Sequence, residues 1–431
     1  MALFDRSNLN EGVKRREVAA WAMYDFANSG YTTVVLTAVF NAYFVGVVAQ
    51  GADWGTLAWT LALAASSAIV MLTMPAIGAY ADLRAAKKRL LVISTLGCVV
   101  TTAALALVGA GELWLAVVLI ILSNLFYAYG ESLAAAFLPE LSKQGSLGRV
   151  SGWGWSLGYF GGMLTLGLSL AYVLSAQAQG QKAADFVPVT MLIVAVVYAL
   201  ASLPTFLLLK ERAVPQADAQ HRGLVDSLRR LGQTWHEARR YSDFVWFMAC
   251  GTAYQAGIAV VIALAAVYAE QVLGFKQTQT MMLIFLVNIA SAAGAFAFGY
   301  FQDRIGHKTG VAITLVGWIV MTVLAYLATG PGLFWVAAVI AGLCMGSSQS
   351  AGRALAGLFA PEHRRAEFFG LWTFATRLAA IVGPVTYGLV TWVTEGNHRL
   401  GIVSTGLFFV IGLLLLSKVD VARGTAAAAV K

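Results

Sequence analysis

The sequence predicts an all-α integral membrane protein with twelve transmembrane helices in two pseudo-symmetric six-helix halves. Three observations carry that prediction. Of the 431 residues, 59% are hydrophobic and 12% charged, and mean hydropathy is +0.74, roughly half the charge of an ordinary water-soluble domain. Apolar runs long enough to cross a bilayer recur twelve times. Two separated stretches of the first half reappear in the second at almost the same offset, the mark of a duplicated unit.

The runs lie at roughly 18–48, 55–80, 90–110, 113–137, 149–175, 186–209, 243–269, 278–300, 309–329, 333–357, 366–393 and 399–417. They imply an N-terminal segment over 1–17, a first half over 18–209, a polar linker over 210–242, a second half over 243–417 and a tail over 418–431. The first run is too long for a signal peptide and reads as an uncleaved span. Twelve spans put both termini on one side, and Lys and Arg identify that side. Only Lys182, Lys276, Arg399 and the mid-span Arg377 lie away from it. The positive-inside rule therefore sets both termini in the cytoplasm of a cell (inner) membrane, and the net charge of +8 faces anionic lipid rather than nucleic acid. Within the linker, Leu224, Val225, Leu228, Leu231 and Trp235 recur at helical spacing opposite arginines, the pattern of an amphipathic helix on the membrane surface.

The repeat is carried by two pairs of stretches. "GAYADLRAAKKR" matches "GYFQDRIGHK", pairing Gly78 with Gly299 and Asp82 with Asp303 at an offset of 221. "ESLAAAFLPE" matches "RALAGLFAPE", pairing Glu131 with Arg353 and Glu140 with Glu362 at an offset of 222. The glycines would let helices approach closely, and Asp82 and Asp303 suit the positive end of a neighbouring helix. Arg84, Lys87 and Lys88 in one copy, and Arg304, Gly306 and Lys308 in the other, would complete a charged gate.

"GYFQDRIGHK" is the loop signature of the major facilitator superfamily, and the first copy resembles it apart from Leu83 and Ala85, where Arg and Gly are usual. "WAMYDFANSGYTTVVL", "GWGWSLGYFGG" and "GSSQSAGRALAGLFAPEHRRAEFFGLW" resemble the vacuole effluxer family, the autophagy-related amino-acid permeases and their bacterial relatives. The resemblance implies the major facilitator fold, a solute-carrier role, amino acids as the substrate class, and conformational control by the loop motif.

Charge inside a span is costly, so intramembrane ionisable residues mark candidate sites. Asp25 lies about 11 Å into the first span, with Asn28, Ser29 and Thr32 on its face. On the fourth span Asn124, Tyr127 and Glu131 form one stripe, answered on the tenth by Gln349 and Arg353. The opposite charges of Glu131 and Arg353 suggest a gate-closing pair between the halves. Arg377 sits about 16 Å into the eleventh span, too deep to snorkel, and calls for a protein or ligand carboxylate. Gln255 and Asn288 lie at similar depth. Trp153, Trp155 and Tyr159 either line the same cavity or pack between helices.

Enzyme signatures, a Walker loop and Cys/His metal spacings are absent from the sequence, and Cys98, Cys250 and Cys344 form no disulfide framework. The expectation is a non-enzymatic, cofactor-free carrier, monomeric in the lipid bilayer, that moves a small carboxylate-bearing solute by alternating access coupled to protons. Arg377 would engage the solute carboxylate, and Asp25 or Glu131 would carry the proton. A broad-specificity exporter of toxic compounds and a non-transporting sensor or scaffold are the other readings.

Overall fold

A computed structural model describes residues 4–52, 54–215, 240–275, 277–395 and 397–429. The amphipathic stretch expected around Leu224 and Trp235 lies outside the described residues. Twelve helices are long and apolar enough to cross a membrane. The first, α1, runs Arg15–Val48. The others are α2 (Gly55–Arg84), α3 (Lys87–Ala104), α4 (Leu113–Ala135), α5 (Leu147–Ala178), α6 (Ala183–Leu208), α7 (Ser242–Leu273), α8 (Gln277–Ile305), α9 (His307–Leu327), α10 (Pro331–Phe359), α11 (Arg365–Val393) and α12 (His398–Ser417). A thirteenth helix, α13 (Val421–Ala429), follows in the tail, where an alanine-rich sequence favours helix. Leu72, Leu96, Leu207, Leu389 and Leu414 are exposed on the outer surface, as side chains facing lipid would be.

Helix α1 is not uniform. After Tyr31 it widens into π-helical turns over Thr32–Ala38 and again over Phe44–Val48. The hydroxyls of Ser29, Thr32 and Thr33 bond back to the carbonyls of Asp25 and Ser29 at 2.8–3.0 Å, and Thr37 donates to the Thr32 carbonyl five residues earlier at 2.9 Å. Such bonds compete with the helical ladder and loosen it beside Asp25.

The halves meet through α2 against α11 and α5 against α8. Both contacts are made by small residues at backbone distance. A methyl on Gly299 would come within 2.6 Å of the Gly148 carbonyl, and one on Gly370 within 2.9 Å of the Met74 carbonyl. Gly78 abuts the Ala366 carbonyl, and Gly152 abuts that of Ala295. The loop copies differ for a local reason. Gly306 has φ +91°, which needs glycine, whereas Ala85 at the equivalent place has φ +50°, within the left-handed region a non-glycine residue can adopt.

Candidate solute-binding and gating site

The outermost layer of the site lies at the face that carries both chain termini. Asp82, at the end of α2, accepts the N–H groups of Ala366 and Glu367 at 3.1 and 2.9 Å, where α11 begins. Asp303, at the end of α8, accepts those of Gly148 and Arg149 at 2.9 and 3.1 Å, where α5 begins, and the Arg149 side chain approaches it at 3.3 Å. Each carboxylate therefore sits on the positive end of a helix from the opposite half. Around them, buried Lys87 bonds Glu140, whose carboxylate also lies 3.9 Å from Arg365 of the second half. Ser132 donates to the Phe369 carbonyl at 3.2 Å, adding another contact between the halves. Arg84 lies over the Tyr80 ring, Arg304 is exposed, and Lys88 and Lys308 reach backbone carbonyls of their own halves.

One layer deeper, Arg353 of α10 donates to Asp25 of α1 at 2.7 Å, to the Ser151 hydroxyl at 3.0 Å and to the Ser151 carbonyl at 2.8 Å. Trp21 and Trp155 flank its guanidinium at 4.9 and 5.3 Å. Every nitrogen of this arginine is engaged, and only 8% of its side chain is exposed. Gly154 lets α5 pass the pair, because a methyl there would strike both Asp25 and Arg353.

Deeper again, Arg377 of α11 donates to Glu131 of α4 at 3.0 Å. Its surroundings differ. Among the described residues the buried Nε of Arg377 has no partner, while 37% of the Glu131 side chain, four residues before α4 ends, is exposed. Tyr127, one turn from Glu131, lies 5.9 Å from the guanidinium and stacks on Tyr31 at 5.1 Å.

The partners thus differ from the expected gate pair. Glu131 bonds Arg377, not Arg353, and Arg353 bonds Asp25. Repeat equivalence pointed to Glu131 and Arg353, but contact depends on which helices face each other: α10 meets α1 and α5, whereas α4 meets α11. Among the other candidates, Gln255 and Gln349 exchange amide hydrogen bonds at 2.9 and 3.2 Å. Asn28 is buried on α1. Asn288 caps the Ile284 carbonyl of its own helix at 2.9 Å. Buried Asn124 donates to Ser66 at 3.1 Å, a contact within the first half rather than with a cavity. Trp153 is fully buried and donates to Tyr300 at 3.0 Å across the α5–α8 contact, so it packs, whereas Trp155 and Tyr159 are partly exposed. Ser151 and Trp21 did not stand out in the sequence. A serine and a tryptophan in apolar runs carry no signal until the fold brings Arg353 to them.

Two like halves of six helices, joined face to face around paired charges, define a transporter of the major facilitator class. The chain belongs to the family described as vacuole effluxer Atg22 like, whose profile matches residues 56–148 and 142–429. It is 26% identical over 408 residues to an uncharacterized MFS-type transporter, YxiO, of Bacillus subtilis, covering 92% of this chain and 93% of that one. It is 24% identical over 300 residues to autophagy-related protein 22-1 of Aspergillus fumigatus, covering 64% of this chain and 48% of that longer one, so it matches about half the fungal relative's length. The fold is similar to the crystal structure of the human organic anion transporter MFSD10 (TETRAN), with a TM-score of 0.74 at 15% identity, covering 93% of this chain and 99% of that one.

Proposed function

We propose that this transporter moves a small zwitterion, an α-amino acid or close relative, and that the solute opens the Glu131–Arg377 pair. The observation that carries the reading is the contrast between the two arginines. Every nitrogen of Arg353 has a partner, whereas Arg377 keeps a buried Nε free beside a partly exposed carboxylate. A solute carboxylate would take the guanidinium side-on in the two-bond geometry these groups favour, and its ammonium would take Glu131. The four charges of the site, Asp25, Glu131, Arg353 and Arg377, sum to zero, which suits a solute with no net charge. The amides of Gln255 and Gln349 are placed to add polar contacts in the second half.

The lysine and arginine distribution supports a cytoplasmic terminal face, and in that orientation the present arrangement is closed inward. Opening inward must separate Asp25 from Arg353, because they belong to different halves. A proton on Asp25 removes one of the two charges that this separation exposes, which gives the coupling site. Uptake of labelled amino acids into proteoliposomes tests the reading. Arg377→Gln is expected to abolish uptake of every accepted amino acid. Uptake unchanged in that variant removes Arg377 from the site, and transport of cations alone supports the exporter reading instead.

A further inference from the structure

Each half closes on itself at the terminal face with the same contact. In the first half, Glu17 at the start of α1 accepts two guanidinium nitrogens of Arg212 at 2.5 and 2.8 Å and the N–H of Lys210 at 3.1 Å. Lys88, in the first turn of α3, donates to the Leu209 carbonyl at 2.6 Å. In the second half, Asp243 at the start of α7 accepts two nitrogens of Arg423 at 2.7 and 2.8 Å and the N–H of Asp420 at 2.7 Å. Lys308, in the first turn of α9, donates to the Val419 carbonyl at 2.5 Å. The parts correspond one by one: a buried acid, a buried aliphatic anchor (Leu209 or Val419), the next N–H, an arginine shortly beyond, and the loop lysine.

Equal sequence spacing does not explain the match. The acids are 226 positions apart and the arginines 211, against 221 for the loop aspartates. The contact is kept where the register is not. Each clasp also reaches the turn beside the gate, since Lys88 lies six residues after Asp82 and Lys308 five after Asp303.

We infer that Glu17 with Arg212, and Asp243 with Arg423, are positioning residues for the gate. Each clasp ties the chain leaving the last helix of a half to that half's first helix and to its loop lysine. It thereby fixes the connection that presents Asp82 or Asp303 to the opposite half. A loosened clasp leaves the aspartate less well placed on its helix terminus, and the closed terminal face loses population. The inference is independent of which solute is carried.

The test is a distance measurement on the full chain in lipid nanodiscs without solute. Spin labels at Gly145→Cys and Glu362→Cys report the separation of exposed loops on opposite halves, and the three native cysteines are buried. Arg423→Gln and Arg212→Gln remove one clasp each at a partly exposed side chain (61% and 27%), so neither alters the core. Asp243→Asn with Arg423→Gln also removes the buried acid's charge, as a check against simple misfolding. Each variant is expected to raise the ratio of long to short distances by on the order of fivefold, the scale of ordinary coupling between sites. Arg423→Lys is expected to fall between parent and Arg423→Gln. Distances matching the parent in the single and double variants, with or without a fall in melting temperature, overturn the inference. So does a shift toward shorter distances.

Discussion

Arg353 and Arg377 place the same side chain in contrasting surroundings at neighbouring depths. Arg353 is dry, held by Asp25, Ser151 and two indoles. Arg353→Ala would leave Asp25 buried with no counter-charge, and removing one partner of a buried pair costs about 3–5 kcal/mol. Arg377→Gln keeps a hydrogen-bonding side chain opposite Glu131, which is partly exposed, so its cost is expected to be smaller. Thermal unfolding of purified variants checks the contrast: a large drop for Arg353→Ala and a small one for Arg377→Gln, while Arg377→Gln eliminates uptake. Equal drops would contradict the assignment of one arginine to the gate and the other to the solute. The sequence made these charges legible, because a carboxylate or guanidinium inside an apolar run must find a partner or water. It did not make the partners legible. Glu131 and Arg353 are equivalent in the repeat, but the facing of α4 toward α11 and of α10 toward α1 is a property of the assembled halves.

Among the helices, the contacts between halves depend on backbone approach at four glycines. Gly78 and Gly299 belong to the loop motif, and the pattern pointed to them. Gly152 and Gly370 play the matching part on α5 and α11 at a different offset, 218, so the comparison of motifs passed over them. Gly299→Val would place its side chain on the Gly148 carbonyl, where no flexible group can move aside. The terminal face is expected to open, seen as lost labelling from outside of a cysteine introduced at Thr32, a partly exposed position on the Asp25 face of α1. Undiminished outside labelling would show that close packing of α5 and α8 does not hold the closed state. The twelve spans were readable from hydropathy and length. The π-helical turns of α1 were not, since they depend on the combined pull of Ser29, Thr32, Thr33 and Thr37 on backbone carbonyls. Helix α13 was not legible because its nine residues, VARGTAAAA, are too few to read as a span.

For the whole molecule, the layers form a sequence: a sealed face of aspartates on helix termini, a dry Asp25–Arg353 pair, and a partly exposed Glu131–Arg377 pair. Alternating access requires the first two to separate each time the face opens. Asp25→Asn removes the charge that separation exposes, and the variant is expected to retain exchange of amino acid across a membrane while losing its response to a proton gradient. Gradient-driven accumulation that persists in Asp25→Asn would move the coupling site elsewhere. The most direct test of the central claim, that a zwitterion opens the partly exposed pair, is equilibrium binding of one accepted amino acid, its amide and its deaminated acid to the parent and to Glu131→Gln. In the parent, loss of either charged group of the solute is expected to weaken binding by about tenfold or more, the scale of a lost hydrogen bond to a charged group. In Glu131→Gln, the difference between the amino acid and the deaminated acid is expected to vanish, while the amide still binds poorly. Equal binding of all three solutes to the parent, or an unchanged pattern in Glu131→Gln, would contradict it.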